Sequence, residues 1–204
     1  MSENGVIEVD GYRYERVEIV GAGGVGFWMA IGLKRDLGDF PIRVWDDDTF
    51  KGGTGDKRLP KVQNLRAKKV SVLRGWGRMV MGDRPVETME KRFNGKEEES
   101  WKGALIVDCT DSPILSRKRF WNAAIKRGAV MMRVSYDGIG PVVVSRGLPM
   151  VSKDAVGGGG GYAHIPNMGQ TFTAAGLGAQ CVLCELKGIE WENQFVSVLP
   201  LVYL

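Results

Sequence analysis

Apolar runs of strand type alternate along the chain with segments of helical period. The pattern marks β-strands at Val17–Val20, Ile42–Trp45, Val86–Met89, Ala104–Asp108, Val130–Val134 and Val142–Val144. Between them it predicts helices over Gly24–Asp36, Pro60–Gly75 and Ser112–Arg127, and near the end a helix from Ala174 to Lys187 closed by Gly188. Such alternation builds βαβ units around a mostly parallel sheet, so the expected class is α/β.

Composition narrows this picture. A chain of 204 residues with 44% hydrophobic content fills one globular domain with a sizeable core. No stretch approaches the ~20 apolar residues of a membrane span, and the acidic start "MSENGVIEVD" lacks the basic and apolar regions of a signal peptide, so a cytoplasmic protein is expected. Three cysteines in such a chain argue for free thiols at Cys109, Cys181 and Cys184. The net charge of +4 hides an asymmetry, with 5 basic and 10 acidic side chains over residues 1–50 against 12 basic and 4 acidic over 51–92. The basic stretch suits an anionic ligand such as a polyphosphate. Nucleic acid is disfavoured, because no interleaved aromatics or nucleic-acid motif accompany the charges. There is no internal repeat. Five glycines in "VGGGGGYAH", residues 156–164, predict a mobile loop, most simply a plain connection.

The first candidate chemistry is "VEIVGAGGVGFW", residues 17–28, a strand that runs through four glycines into a helix. Gly21 permits the tight turn, Gly23 lets backbone approach a phosphate, and Gly26 lets helix and sheet pack closely; Gly24 is an additional glycine. The helix that follows aims its N–H groups and positive dipole end at the ligand, which favours an anion. Twenty residues after Gly26, Asp46 ends the second strand, where a carboxylate accepts ribose hydroxyls. Neither feature separates a dinucleotide from a triphosphate.

The next stretches do bear on that choice. Asp46, Asp47 and Asp48 lead into "TFKGGTGDKRLPK", a loop longer than a dehydrogenase needs, whose Lys57, Arg58 and Lys61 could neutralise a triphosphate or form a solvated basic face. In "ALIVDCTDSPILSRKRFWNAA", residues 104–124, an apolar strand ends in Asp108 and Asp111 at the carboxyl edge of the sheet. Carboxylates beside polyphosphate are natural magnesium ligands, whereas hydride transfer needs no such metal. Asp111, or alternatively Ser112, could also cap the following helix, and capping and metal binding could coexist.

Taken together, "GAGGVG", "DDDTF", the basic loop and "DCTDS" followed by an arginine and "NAA" resemble the ThiF/MoeB family, the adenylating core shared with ubiquitin-activating enzymes. The resemblance runs from about Val17 to Gly188 and treats residues 1–204 as a single adenylation domain. It implies a Rossmann-like, doubly wound sheet with helices on both faces. It further implies ATP and magnesium, adenylation of the C-terminal carboxylate of a small ubiquitin-like or sulfur-carrier protein ending in Gly-Gly, release of pyrophosphate, and a homodimer. On this resemblance Gly21, Gly23, Gly24 and Gly26 match the nucleotide turn, Asp46 the ribose ligand, with Asp48 in the same acidic run. Asp111 matches the magnesium-associated aspartate, Arg58 the phosphate-binding arginine and Lys69 the lysine at the start of the next helix.

The chain departs from the pattern in three places. The stretch "TGDKRLP" offers no asparagine ahead of Arg58, and Asn64 lies after it; Ser112 stands where the family has asparagine; and the two CxxC pairs that hold zinc in many members are reduced to Cys181 and Cys184. With His164 the one histidine in the chain, four zinc ligands are hard to assemble, so a packed helix face is expected for the cysteine pair. Cys109 reads as a small core residue, and no thioester cysteine is evident. Two other functions remain open: a catalytically weak relative that binds nucleotide or partner, and an NAD-dependent oxidoreductase using the same turn.

Overall fold

The computed structural model describes residues 6–9, 11–50, 66–82, 86–136, 142–147 and 168–196. The basic loop with Lys57, Arg58 and Lys61 and the glycine run at 156–164 lie outside the described residues.

Among the described residues thirteen elements follow in order: β1 (Ile7–Val9), β2 (Tyr12–Tyr14), β3 (Arg16–Val20), α1 (Gly24–Leu37), β4 (Ile42–Trp45), α2 (Lys69–Met81), β5 (Glu87–Met89), β6 (Ala104–Asp108), α3 (Ile114–Ile125), β7 (Val130–Tyr136), β8 (Val142–Arg146), α4 (Met168–Lys187) and β9 (Gln194–Val196). Strands β1 and β2 form an antiparallel hairpin of their own. The other seven make one sheet in the order β5-β4-β3-β6-β7-β8-β9. Neighbours from β5 to β7 are parallel, and β8 and β9 join antiparallel.

Side-chain alternation along the strands decides which helix lies on which face. Leu105 and Val107 of β6 point with Val17 and Ile19 into one core, shared with Phe27, Met29 and Leu33 of α1, Leu73 of α2 and Val182 and Leu186 of α4. Ala104 and Ile106 point the other way, into a second core with Phe120 and Trp121 of α3 and with Phe93 and Trp101 from the β5–β6 connection. Helices therefore cover both faces, as expected. At about 25 cal/mol per Å², burying such strands on both sides is the main source of stability.

Several boundaries differ from the sequence pattern, each for a local reason. Helix α2 begins at Lys69 and runs on to Met81. Residues just before it pair with the end of the β4 segment: Phe50 N donates to Ala67 O at 2.9 Å, and Thr49 bridges Lys68. Arg66, with φ +88°, breaks any helical continuation there. Helix α3 begins at Ile114 instead of Ser112, because Pro113 (φ −55°, ψ 145°) is its N-cap and bars the preceding residue from helical geometry. Helix α4 starts earlier than expected, and Gly188 (φ +66°) closes it as the sequence indicates. No helix among the described residues is long and apolar enough to cross a membrane.

Candidate nucleotide site at the carboxyl edge of the sheet

The sheet reverses its direction of growth at β3, which has β4 on one side and β6 on the other. In open α/β sheets the crevice outside the carboxyl ends of such strands is where ligands bind. The segments that leave β3, β4 and β6 at this edge carry the glycine turn, Asp46 and the Asp108–Asp111 loop respectively, so the topology brings together three of the motifs picked out in the sequence.

Gly21 leaves β3 with φ +100°, a left-handed conformation that suits glycine, and a methyl group there would lie 3.2 Å from the Cys109 carbonyl oxygen. Its amide donates to Trp45 O at 2.8 Å, while Cys109 N donates to Val20 O at 2.8 Å, so the turn is tied to both neighbouring strands. Gly26 is required more strictly, since a Cβ would stand 1.9 Å from the Gly21 carbonyl oxygen. Gly23 is different: apart from its own chain neighbours, no atom of the described residues lies within 4 Å of its Cβ position. It is the N-cap of α1 and contributes no side-chain capping bond, and Gly24 is the first helical residue. Steric need of the protein explains Gly21 and Gly26. It does not explain Gly23, whose bare flank is the shape a close-approaching phosphate requires.

Asp46 is half-buried and acts on this turn directly. One carboxylate oxygen accepts the Ala22 amide at 2.6 Å and the other the Asp48 amide at 2.7 Å. Burial raises its pKa above the ordinary aspartate value, against the lowering effect of the Asp48 and Ala22 amides. Its first role is therefore to clamp the Gly21–Gly23 turn to the end of β4; with four lone-pair sites it retains acceptor capacity for a hydroxyl. Asp48 and Lys69 also meet: Nζ lies 3.1 Å from Oδ2, and the Lys69 amide donates to Asp48 O at 3.1 Å. Lys69 opens α2, the position the family resemblance implies.

The two aspartates after β6 have separate fates. Asp108 is completely buried. Its Oδ1 accepts the Thr110 amide (2.9 Å) and hydroxyl (2.8 Å), and its Oδ2 faces Arg133 Nη1 and Trp121 Nε1, both at 2.9 Å. That corrects the expectation that both carboxylates are offered to a metal, because Asp108 is spent on structure. Asp111 is exposed and has no hydrogen bond or ion pair among the described residues. It does not cap α3 either, and neither does Ser112, since the N-cap is Pro113 without a side-chain bond. An exposed carboxylate without a hydrogen bond among the described residues, on the loop that leaves β6 next to the strand carrying the glycine turn, fits a hard cation such as magnesium.

Arg133 and Trp121 were not legible as site residues, and Thr110, within "DCTDS", carried no role of its own. The one available signal was a charged residue, Arg133, inside the apolar strand "VMMRVSY". Burial and the adjacent Asp108 push the Cys109 thiol well up, which suits the inert core role expected for it. Cys181 is buried on α4 and its thiol is pushed up to about 11, while Cys184 is half-buried one turn on, so the pair lies on a packed helix as expected.

No protein-family model and no curated protein sequence matches the chain. Solved structures share its fold. MccB of E. coli superposes with a TM-score of 0.64 at 15% identity, over 92% of this chain and 64% of MccB. The microcin C7 biosynthetic enzyme MccB in complex with N-formylated MccA gives 0.66 at 15% identity over 92% and 66%. PaaA gives 0.61 at 14% identity over 87% and 57%. MccB has also been solved with ATP, and with AMPCPP and MccA together. The chain spans about two thirds of the length of MccB, 64% in one superposition and 65% in another. At such identities the likeness is one of fold, and the fold is a Rossmann-like α/β sheet.

Proposed function

We propose that the chain is an ATP- and magnesium-dependent adenylyltransferase that activates a carboxylate of a polypeptide partner, the C-terminal carboxylate of a small ubiquitin-like or sulfur-carrier protein ending in Gly-Gly. The observation that carries the reading is the pairing of an open-flanked Gly23 turn with the exposed, uncommitted Asp111 on the adjacent strand end. The first suits a phosphate and the second a metal–phosphate, a combination that hydride transfer does not call for. The fold shared with MccB, which has been solved with ATP and with MccA, supports both a nucleotide and a polypeptide partner. The homodimer and cytoplasmic setting that go with this reading rest on the family resemblance and the sequence.

The chemistry asks little of the side chains in acid–base terms. The substrate carboxylate is already a nucleophile: it attacks the α-phosphate in line, a new acyl O–P bond forms, the α–β P–O bond breaks, and pyrophosphate leaves. Amides at the α1 N-terminus point at the phosphates, and Asp46 fixes the turn that presents them and offers acceptor capacity to the ribose. Asp111 would hold magnesium, which when bound neutralises charge growing on the leaving group. Lys69, steadied by Asp48, and Arg58, which lies outside the described residues, are assigned to the same charge.

Titration calorimetry tests the nucleotide half of the proposal. ATP with magnesium should bind far more tightly than NAD. Tight NAD binding with none for ATP would transfer the site to an oxidoreductase.

A further inference from the structure

Arg117 is a buried cation that no hydrogen bond or close ion pair holds among the described residues, although the carboxylates of Asp108 and Asp111 lie near enough to act on it. It lies on the N-terminal part of α3 with 8% of its surface exposed, and its solvent-inaccessible Nε has no hydrogen-bond partner among the described residues. A buried guanidinium left in this condition is expensive. Burial and the charge of Arg133 together lower its pKa from the ordinary arginine value.

Its place in the fold says which way it faces. Trp121, one helical turn further along the same face of α3, reaches Asp108, the last residue of β6. Helix α3 runs back from the carboxyl edge of the sheet. Arg117 therefore stands one turn, about 5 Å, beyond that contact, on the ligand side of the strand end. Its electrostatic neighbours there are Asp108, Asp111 and Arg133. Asp108 is already saturated by Arg133, Trp121 and Thr110. Asp111 is exposed and unpaired among the described residues.

The same spot collects two helix ends. Strands β3 and β6 are parallel neighbours with Val20 opposite Asp108, so α1 and α3, which follow them, both start at this edge. Their N-caps, Gly23 and Pro113, supply no side-chain capping bond. Two helix amino ends without side-chain caps and a guanidinium whose Nε lacks a hydrogen-bond partner among the described residues thus share the edge with the glycine turn.

We propose that Arg117 is a polyphosphate ligand, its guanidinium binding oxygens of the nucleotide's phosphate chain between the N-termini of α1 and α3. The identification of the anion with ATP rests on the adenylation reading; the anion site does not. A guanidinium can fork onto two phosphate oxygens at once, which a lysine cannot do.

The test uses inorganic pyrophosphate as the probe, with no carboxylate substrate present. Calorimetric titration of the full chain should show pyrophosphate binding, weakened about tenfold to a hundredfold in Arg117→Met and several-fold in Arg117→Lys. The unliganded Arg117→Met variant should melt at or above the wild-type temperature, because an unpaired buried charge has been removed. Equal pyrophosphate affinity in wild type and Arg117→Met, or no binding to wild type, would overturn the assignment. So would a fall of Tm with affinity unchanged, the mark of a purely structural arginine. If Arg117→Met does not fold, Arg117→Lys decides by the same comparison at unchanged Tm. Intact pyrophosphate binding without any ATP–pyrophosphate exchange would sink the adenylation reading and leave this site standing.

Discussion

Asp108 and Arg133 form an ion pair sealed into the carboxyl edge of the sheet, with Oδ2 and Nη1 2.9 Å apart and side chains 0% and 3% exposed. They are register partners on β6 and β7. Arg133 also donates from Nη2 to Thr110 O at 2.9 Å, so the pair fixes the backbone from which Asp111 projects. A charge pair so deep is a poor source of net stability, but breaking it exposes each partner to the cost of burial alone.

Replacing one member should therefore be far worse than replacing both. Arg133→Met should lower unfolding stability by about 3–5 kcal/mol, the usual range for an orphaned buried charge. The double variant Asp108→Asn/Arg133→Met should recover part of that loss. Urea unfolding of Asp108→Asn, Arg133→Met, the double variant and wild type checks this. Additive losses would mean the two side chains do not act on each other.

The glycine turn separates fold from ligand by position. Gly26→Ala places a methyl 1.9 Å from the Gly21 carbonyl and should destabilise the chain and distort the site together. Gly23→Ala meets no atom of the described residues within 4 Å beyond its chain neighbours and sits at φ −72°, which any residue adopts, so Tm should hold. ATP affinity should nevertheless fall about tenfold or more, since the methyl occupies the phosphate's approach. Normal ATP binding by Gly23→Ala would remove the phosphate from that flank.

Asp46 gives a pH signature. Its native pKa is raised above the ordinary 3.8, chiefly by burial. The native state thus holds the proton more tightly than the unfolded chain. That contribution is full below pH 3.8 and is lost as pH rises through the raised native value. Asp46→Asn has no such proton, and it loses one of two accepted amide bonds at every pH. Wild type minus variant in Tm should therefore shrink as pH climbs above 3.8. A difference that grows over that range would show that the amide bonds, not burial, dominate its titration.

Local patterns in the sequence carried much of this structure. Ile42–Trp45 and Ala104–Asp108 are strands over the residues expected, because short runs buried on both faces leave no choice of register or face. The hairpin strands "IEV" and "YRY" were missed, being three residues each and too short for a period to show. Strand β9, also three residues, was missed for the same reason. The helical period was misleading at residues 66–68, where pairing of Phe50 with Ala67 overrode it; residues 60–65 of the expected helix lie outside the described residues.

Of the site, the glycine turn and the run at Asp46 were legible because motif spacing encodes them locally. The division of labour between Asp108 and Asp111 was not. It depends on Arg133, 25 positions further on, arriving opposite Asp108 through sheet pairing. The burial of Arg117 is likewise a product of packing, with Trp121 one turn away reaching the same strand end.

The adenylation account stands most directly on Asp111. The structure leaves it exposed, with Pro113 and not Asp111 as the cap of α3, so Asp111→Asn should fold with unchanged circular dichroism and Tm. The decisive measurement is ATP–pyrophosphate exchange against magnesium concentration for wild type and Asp111→Asn, with small proteins ending in Gly-Gly among the carboxylate donors. Wild type is predicted to exchange in a magnesium-dependent way, while Asp111→Asn loses about 10²-fold or more of the rate because a neutral amide is a much weaker magnesium ligand than a carboxylate. Exchange by Asp111→Asn at the wild-type rate with the same magnesium dependence would contradict the account.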